Sequence, residues 1–82
     1  MSKHEPFYLR EFAELVGLDW KRWDVAVDKK KGTSGRKVIV WVRDKTTGLQ
    51  LVDAAKGQIT KEQLDRDAKR IANELAKRLL AG

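Results

Sequence analysis

The one unbroken apolar run in this chain is Val38-Ile39-Val40-Trp41-Val42, bounded by Arg36, Lys37 and Arg43. β-Branched and aromatic residues in succession fit an extended strand better than a helix. The run lies mid-chain with strand-like patterns on both sides, which predicts the central strand of a small sheet. Upstream the spacing changes. Tyr8, Leu9, Phe12, Leu15 and Val16 recur at spacings of one, three and four, and on a helix they make one stripe. Pro6 suits a first helical turn, Arg10, Glu11 and Glu14 point away from the stripe, and Gly17 is a natural stop. An amphipathic helix is predicted over residues 6–16, after a polar Met1–Glu5 expected to fray.

Leu18–Asp28 supports two readings. As a strand, Trp23, Val25 and Val27 alternate with Arg22, Asp24, Ala26 and Asp28 at a period of two. As a helix, the segment completes a helix-turn-helix. Phe12, Ala13, Val16, Gly17, Leu18, Trp23 and Ala26 fall at that family's offsets for apolar residues, alanine and turn glycine. Residues 8–27 resemble the family on them, with Trp23 standing where a β-branched residue is usual. That resemblance implies recognition through residues 18–28. Val25 and Val27 favour the strand.

Lys29–Gly35 reads Lys-Lys-Lys-Gly-Thr-Ser-Gly, an exposed hairpin loop by its glycines, hydroxyls and charge. Asp44–Gly48 predicts a second hairpin loop, with Gly48 in the left-handed region. A third strand follows from Leu49 to Val52 or Asp53, with Leu49 and Leu51 on one face and Gln50 and Val52 on the other. Ala54–Ile59 reads as a linker. Thr60 with Gln63 makes a capping box. Leu64, Ala68, Ile71, Ala72, Leu75, Ala76, Leu79 and Leu80 then form one stripe. Glu62, Asp65 and Asp67 come early and Lys77 and Arg78 late, as the helix dipole favours. At about 1.5 Å per residue, such a helix spans roughly 30 Å, enough to cross the back of a small sheet.

These elements predict a small α+β domain of order α-β-β-β-α over the single domain 1–82. Its three-stranded antiparallel meander covers residues 20–53, a last helix covers 60–80, and both helices lie on one face of the sheet. Trp23, Val25 and Val27, then Val38, Val40 and Val42, then Leu49 and Leu51 are expected to face the helices. Lys37, Ile39, Trp41 and Arg43 are left on the other face, joined by Arg22, Ala26, Gln50 and Val52. An aromatic ring amid cations suits a contact surface, where cations hold phosphates and the ring stacks. The competing arrangement turns Trp41 inward, or lays it beneath Arg43 as a cation–π pair.

Charge sharpens this picture. The 82 residues carry a net charge of +6. Residues 1–20 hold two basic and four acidic groups, residues 21–45 nine and three, and residues 46–82 seven and five. The excess sits in the strand-rich middle, and a localised excess of this kind favours polyanions. The chain has no cysteine, which excludes a disulfide framework and a thiolate metal site and suits a reducing cytosol. Residues 1–10 lack the apolar core of a signal peptide, and no apolar run approaches the roughly 18 residues of a membrane span.

Catalytic chemistry has little to draw on. His4 is the one histidine, and a nucleophile–base pairing needs more. Gly32-Thr33-Ser34-Gly35-Arg36-Lys37 lacks the spacing of a phosphate loop. Asp24 and Asp28 on one strand would lie about 13 Å apart, too far to share a metal.

In element order the chain resembles double-stranded-RNA-binding domains, and Pro6-Phe7-Tyr8-Leu9-Arg10-Glu11-Phe12 resembles their first helix. Those domains hold phosphate at the start of the last helix. Here Thr60-Lys61-Glu62-Gln63-Leu64-Asp65 places two carboxylates there, which argues against that mode. Residues 20–80 are similar in element order to the arm-binding domains of phage integrases. That resemblance implies reading of the major groove with the basic, Trp-bearing sheet.

The expected function is a small, non-enzymatic, cytoplasmic nucleic-acid-binding module, regulatory or architectural, acting on duplex DNA without metal or cofactor. Lys29, Lys30, Lys31, Arg36 and Lys37 would grip phosphates. Trp41 and Arg43, with Arg22, would approach the groove or bases, and Lys45 extends the same basic surface. The alternative is an adaptor or inhibitor that docks its basic hairpin on an acidic protein. No membrane partner is expected, and the sheet or helix surface leaves a homodimer open.

Overall fold

The structure, a computed structural model, describes residues 6–82. In chain order it contains α1 (Arg10–Val16), β1 (Trp23–Gly32), β2 (Gly35–Asp44), β3 (Gln50–Gly57) and α2 (Lys61–Ala81). The strands pair antiparallel in the order β1-β2-β3. This is the α+β arrangement that the alternation predicts.

β2 divides the molecule. Val38, Val40 and Val42 have no exposed surface and meet Val25 and Val27 of β1 with Leu64, Ala68, Ile71, Ala72 and Leu75 of α2. Small valines under an alanine-rich helix stripe let α2 lie close to the sheet. Burying each valine contributes about 1.5–3 kcal/mol. Ala13 and Val16 bring α1 into the same cluster, so both helices cover one face. Asn73 Nδ2 donates to the Val16 carbonyl at 2.9 Å, which satisfies the C-terminal end of α1 and ties it to α2. At the start of α2, the Thr60 hydroxyl accepts from the Gln63 N–H at 3.1 Å, which is the Thr60 half of the predicted capping box.

Several boundaries differ from the sequence expectation, each for a tertiary reason. The helix begins at Arg10 and not at Pro6. Residues 6–9 are strap-like instead, because the Leu9 N–H finds the Val25 carbonyl on the free edge of β1 at 3.2 Å. Residues 18–22 turn, and an extended strand follows from Trp23, so there is no recognition helix. Ala13 and Gly17 match the helix-turn-helix pattern for other causes. Ala13 is a core residue, and Gly17 ends α1 at φ 80°.

The basic loop is also mostly strand. Lys29–Gly32 and Gly35–Lys37 belong to the ladder, leaving Thr33 and Ser34 as the turn. Long lysine stems carry their charge into water while the backbone stays paired. β3 runs on to Gly57 and does not stop at Asp53, so Ala54, Ala55 and Lys56 are not a linker. Pairing against Ile39, Val38 and Lys37 overrides the weak strand propensity of alanine. Leu49 lies outside the strands and is exposed, while Leu51 reaches the core rim.

Gly35 is needed where β2 and β3 close together. Its φ is 131°, and a Cβ there would collide with the Gly57 carbonyl. The close approach sets Lys56 squarely beside Lys37.

Candidate nucleic-acid interface

The sheet face turned away from the helices is built of cross-strand rows, because directly opposed residues share a face. From the hairpin end they read Lys30–Lys37–Lys56, Asp28–Ile39–Ala54, Ala26–Trp41–Val52 and Asp24–Arg43–Gln50. Successive rows lie roughly 7 Å apart along the strands. Trp41 therefore stands on this outer face, half-buried, with Ala26 beside it almost completely covered.

The last row is sealed. Arg43 donates to Asp24 through Nε at 3.0 Å and Nη2 at 2.6 Å. Its guanidinium lies 4.8 Å from the centroid of the Tyr8 ring, and the Tyr8 hydroxyl donates to Gln50 Oε1. The strap is thus fastened across the face.

Nearby cations are engaged as well. Lys45 Nζ donates to the Trp20 carbonyl at 2.8 Å and lies 3.7 Å from Asp24. Arg22 reaches Asp44 at 3.2 Å and lies over the Trp23 ring. Asp44 is 2% exposed. The Thr46 N–H, donating to it at 2.9 Å, and the Arg22 guanidinium hold its carboxyl below the usual range, although burial pulls the other way. Arg22, Arg43 and Lys45 were expected to meet a partner; the structure places them in contacts that close this end of the domain.

The hairpin end is different. Lys30, Lys37 and Lys56 stand side by side across the three strands. Lys31 and Arg36 face each other one position nearer the turn. Together these five cations line an open groove of about 690 Å³ floored by glycine backbone. Among the described residues, Lys31, Lys37 and Lys56 have no ion-pair partner, and Lys30 has only Asp28 at 3.7 Å. Like charges directly opposed on a sheet cost stability, so the fold alone does not account for this row.

Two of the expected residues lean elsewhere. Lys29 pairs with Asp65 of α2 at 2.6 Å, and Arg36 donates to the Ile59 carbonyl at 2.8 Å. Lys56 was missed by the sequence reading. Its signal was the period of two continuing from Val52 through Ala54, obscured by the alanines.

Among the described residues no cluster of His, Cys, Asp or Glu is placed to hold a metal, and His4 lies outside them. No helix is long and apolar enough to cross a membrane. No family model, curated protein or solved structure matches the chain.

Proposed function

We propose that this protein is a non-enzymatic nucleic-acid-binding module that grips phosphates at the hairpin end of its sheet. The observation that carries this reading is the row Lys30–Lys37–Lys56, three lysines on neighbouring strands, with Lys31 and Arg36 of the alternate face lining the same groove at the hairpin end. Spacing neighbouring cations by one strand, about 4.8 Å, concentrates positive potential along a line. A phosphate backbone supplies negative charge in the same form. Counterions released from nucleic acid offset the cost of holding the lysines together. The lack of cysteine fits action in the cytoplasm, and the small basic fold suits a regulatory or architectural role on DNA.

The test is a fluorescence-anisotropy titration of a labelled duplex and a labelled single strand between 50 and 200 mM salt. Four phosphates neutralised predict a log–log slope of about −3.6 on the duplex and about a hundredfold loss of affinity across that range. Lys30/Lys37/Lys56→Ala lowers the slope by roughly 2.7 and weakens binding on every sequence. Micromolar protein that binds neither form at 50 mM salt overturns the proposal. Saturable, lysine-dependent binding of a labelled acidic polypeptide in a parallel titration, with neither nucleic acid bound, would assign the lysines to an acidic protein instead.

A further inference from the structure

Next to the lysine row, the strap and the sheet enclose a second concavity on the outer face. It is a largely apolar cleft of about 550 Å³ at the β1 edge, lined by Phe7 and Leu9 of the strap and Phe12 of α1 together with Ala26, Ile39 and Trp41 of the sheet. Phe7 is 77% exposed, so its ring lies beside the cleft largely uncovered by the protein. Lys30 lines both this cleft and the lysine groove, which makes the two one continuous surface. The neighbouring strap residue Tyr8 is fastened to Gln50 and Arg43, which anchors the strap beside the cleft.

We propose that this cleft receives one unpaired nucleobase of the bound strand, with the flanking phosphates on Lys30, Lys37 and Lys56. The proposal rests on the nucleic-acid reading above and narrows it to a strand whose bases are unstacked. The geometry supplies three reasons. First, the cleft offers what a base face needs, aromatic rings and an aliphatic side chain, and base–aromatic stacking is insensitive to base identity. Second, the cation row lies roughly 7 Å along the strands from Ile39 and 13 Å from Trp41. With a lysine stem reaching inward, one nucleotide bridges that span from base to phosphate. Third, a duplex presents only base edges in its grooves. It has no free face to slide beneath a strap.

Asp28 adds direction. Its carboxylate stands on the cleft wall between Lys30 and Trp41. It repels phosphate, which keeps the backbone on the lysine side. It also accepts hydrogen bonds from an exocyclic amine, as acidic side chains do from cytosine. Adenine, cytosine and guanine carry such an amine and thymine does not.

The test compares three probes of equal length at fixed salt: a mixed-sequence single strand, the same strand with abasic sites throughout, and a duplex. The single strand should bind about tenfold more tightly than the abasic strand. Trp41→Ala and Phe7→Ala should each remove several-fold to tenfold of that preference and leave the abasic strand's affinity unchanged. Trp41→Phe, which keeps a stacking ring and guards against a variant that fails to fold, should retain most of it. Oligo-dT should bind more weakly than oligo-dC, and Asp28→Asn should narrow the gap. Equal binding of intact and abasic strands, or tighter binding of the duplex, overturns this inference while lysine-dependent binding sustains the broader reading. Loss of binding to all three probes overturns both.

Discussion

The two ends of the outer sheet face use the same residue types for opposite purposes. At the Asp24–Arg43–Gln50 end, Arg22, Arg43 and Lys45 each meet a carboxylate, a carbonyl or an aromatic ring. At the Lys30–Lys37–Lys56 end three lysines oppose one another across the strands, and of the three only Lys30 has a carboxylate partner among the described residues, Asp28 at 3.7 Å. Neighbouring charge of opposite sign stabilises a fold, and charge of like sign does the reverse. The first end thus acts as a clasp, closing the strap and the β2–β3 loop. The second concentrates unfavourable potential, which the proposed anionic partner would relieve. Counting basic residues cannot separate these roles; only their pairing does.

Gly35→Ala offers the strongest way to break the comparison. The new Cβ would collide with the Gly57 carbonyl at a φ of 131°, so the end of β3 must shift away from β2. A loss of roughly 2–3 kcal/mol is expected from urea denaturation, with weaker nucleic-acid binding as Lys56 moves from Lys37. Parent-like stability would show that the junction yields easily and that the lysine row is not held in place. Next in size, Lys30/Lys37/Lys56→Ala should weaken binding at 100 mM salt by tens-fold while stability holds or rises by about 0.5 kcal/mol. A clear drop in stability on removing these lysines would make them structural and erase the contrast.

The sealed end should respond the other way. Asp24→Ala removes the carboxylate that accepts from Arg43 at 2.6 Å and lies 3.7 Å from Lys45. Both cations are substantially solvated, so the expected loss is about 1 kcal/mol, read from the denaturation midpoint. Phosphate affinity should change little. A strong gain in affinity on releasing Arg43 and Lys45 would mean that this end binds too and is merely masked.

Much of the fold was legible because it rests on local pattern. The inward set Val38, Val40 and Val42, the Thr60 cap and the left-handed Gly48 each follow from spacing or residue type. What was hidden depends on partners distant in sequence. Residues 6–9 have the spacing of a helix stripe, yet the Leu9 N–H finds an acceptor carbonyl on β1 and Tyr8 finds Gln50. Ala54 and Ala55 are weak strand formers until β2 pairs with them. The candidate site divided along the same line. Lys30, Lys31 and Lys37 were visible as a basic hairpin, but the row of Lys30 and Lys37 needs Lys56 from β3. That Arg22 and Arg43 are occupied was unreadable without knowing where Asp44, Asp24 and Tyr8 lie.

The smallest expected effect is the acid response of the clasp. The Thr46 N–H and Arg22 hold the Asp44 carboxyl below its ordinary range in the folded protein, whereas the unfolded chain returns it to that range. A depressed folded value means that the unfolded state binds the proton first as pH falls. The stabilisation is therefore complete above the ordinary carboxylate range. It declines as pH drops through that range and is gone once the folded carboxyl itself protonates. Asp44→Asn should flatten this part of the stability–pH curve between about pH 5 and 2, measured by thermal melts across the range. Lys37→Ala and Lys56→Ala should leave it unchanged, since neither lysine has a carboxylate partner among the described residues. If those substitutions flattened the curve and Asp44→Asn did not, the linkage of acid stability to the sealed end would be reversed.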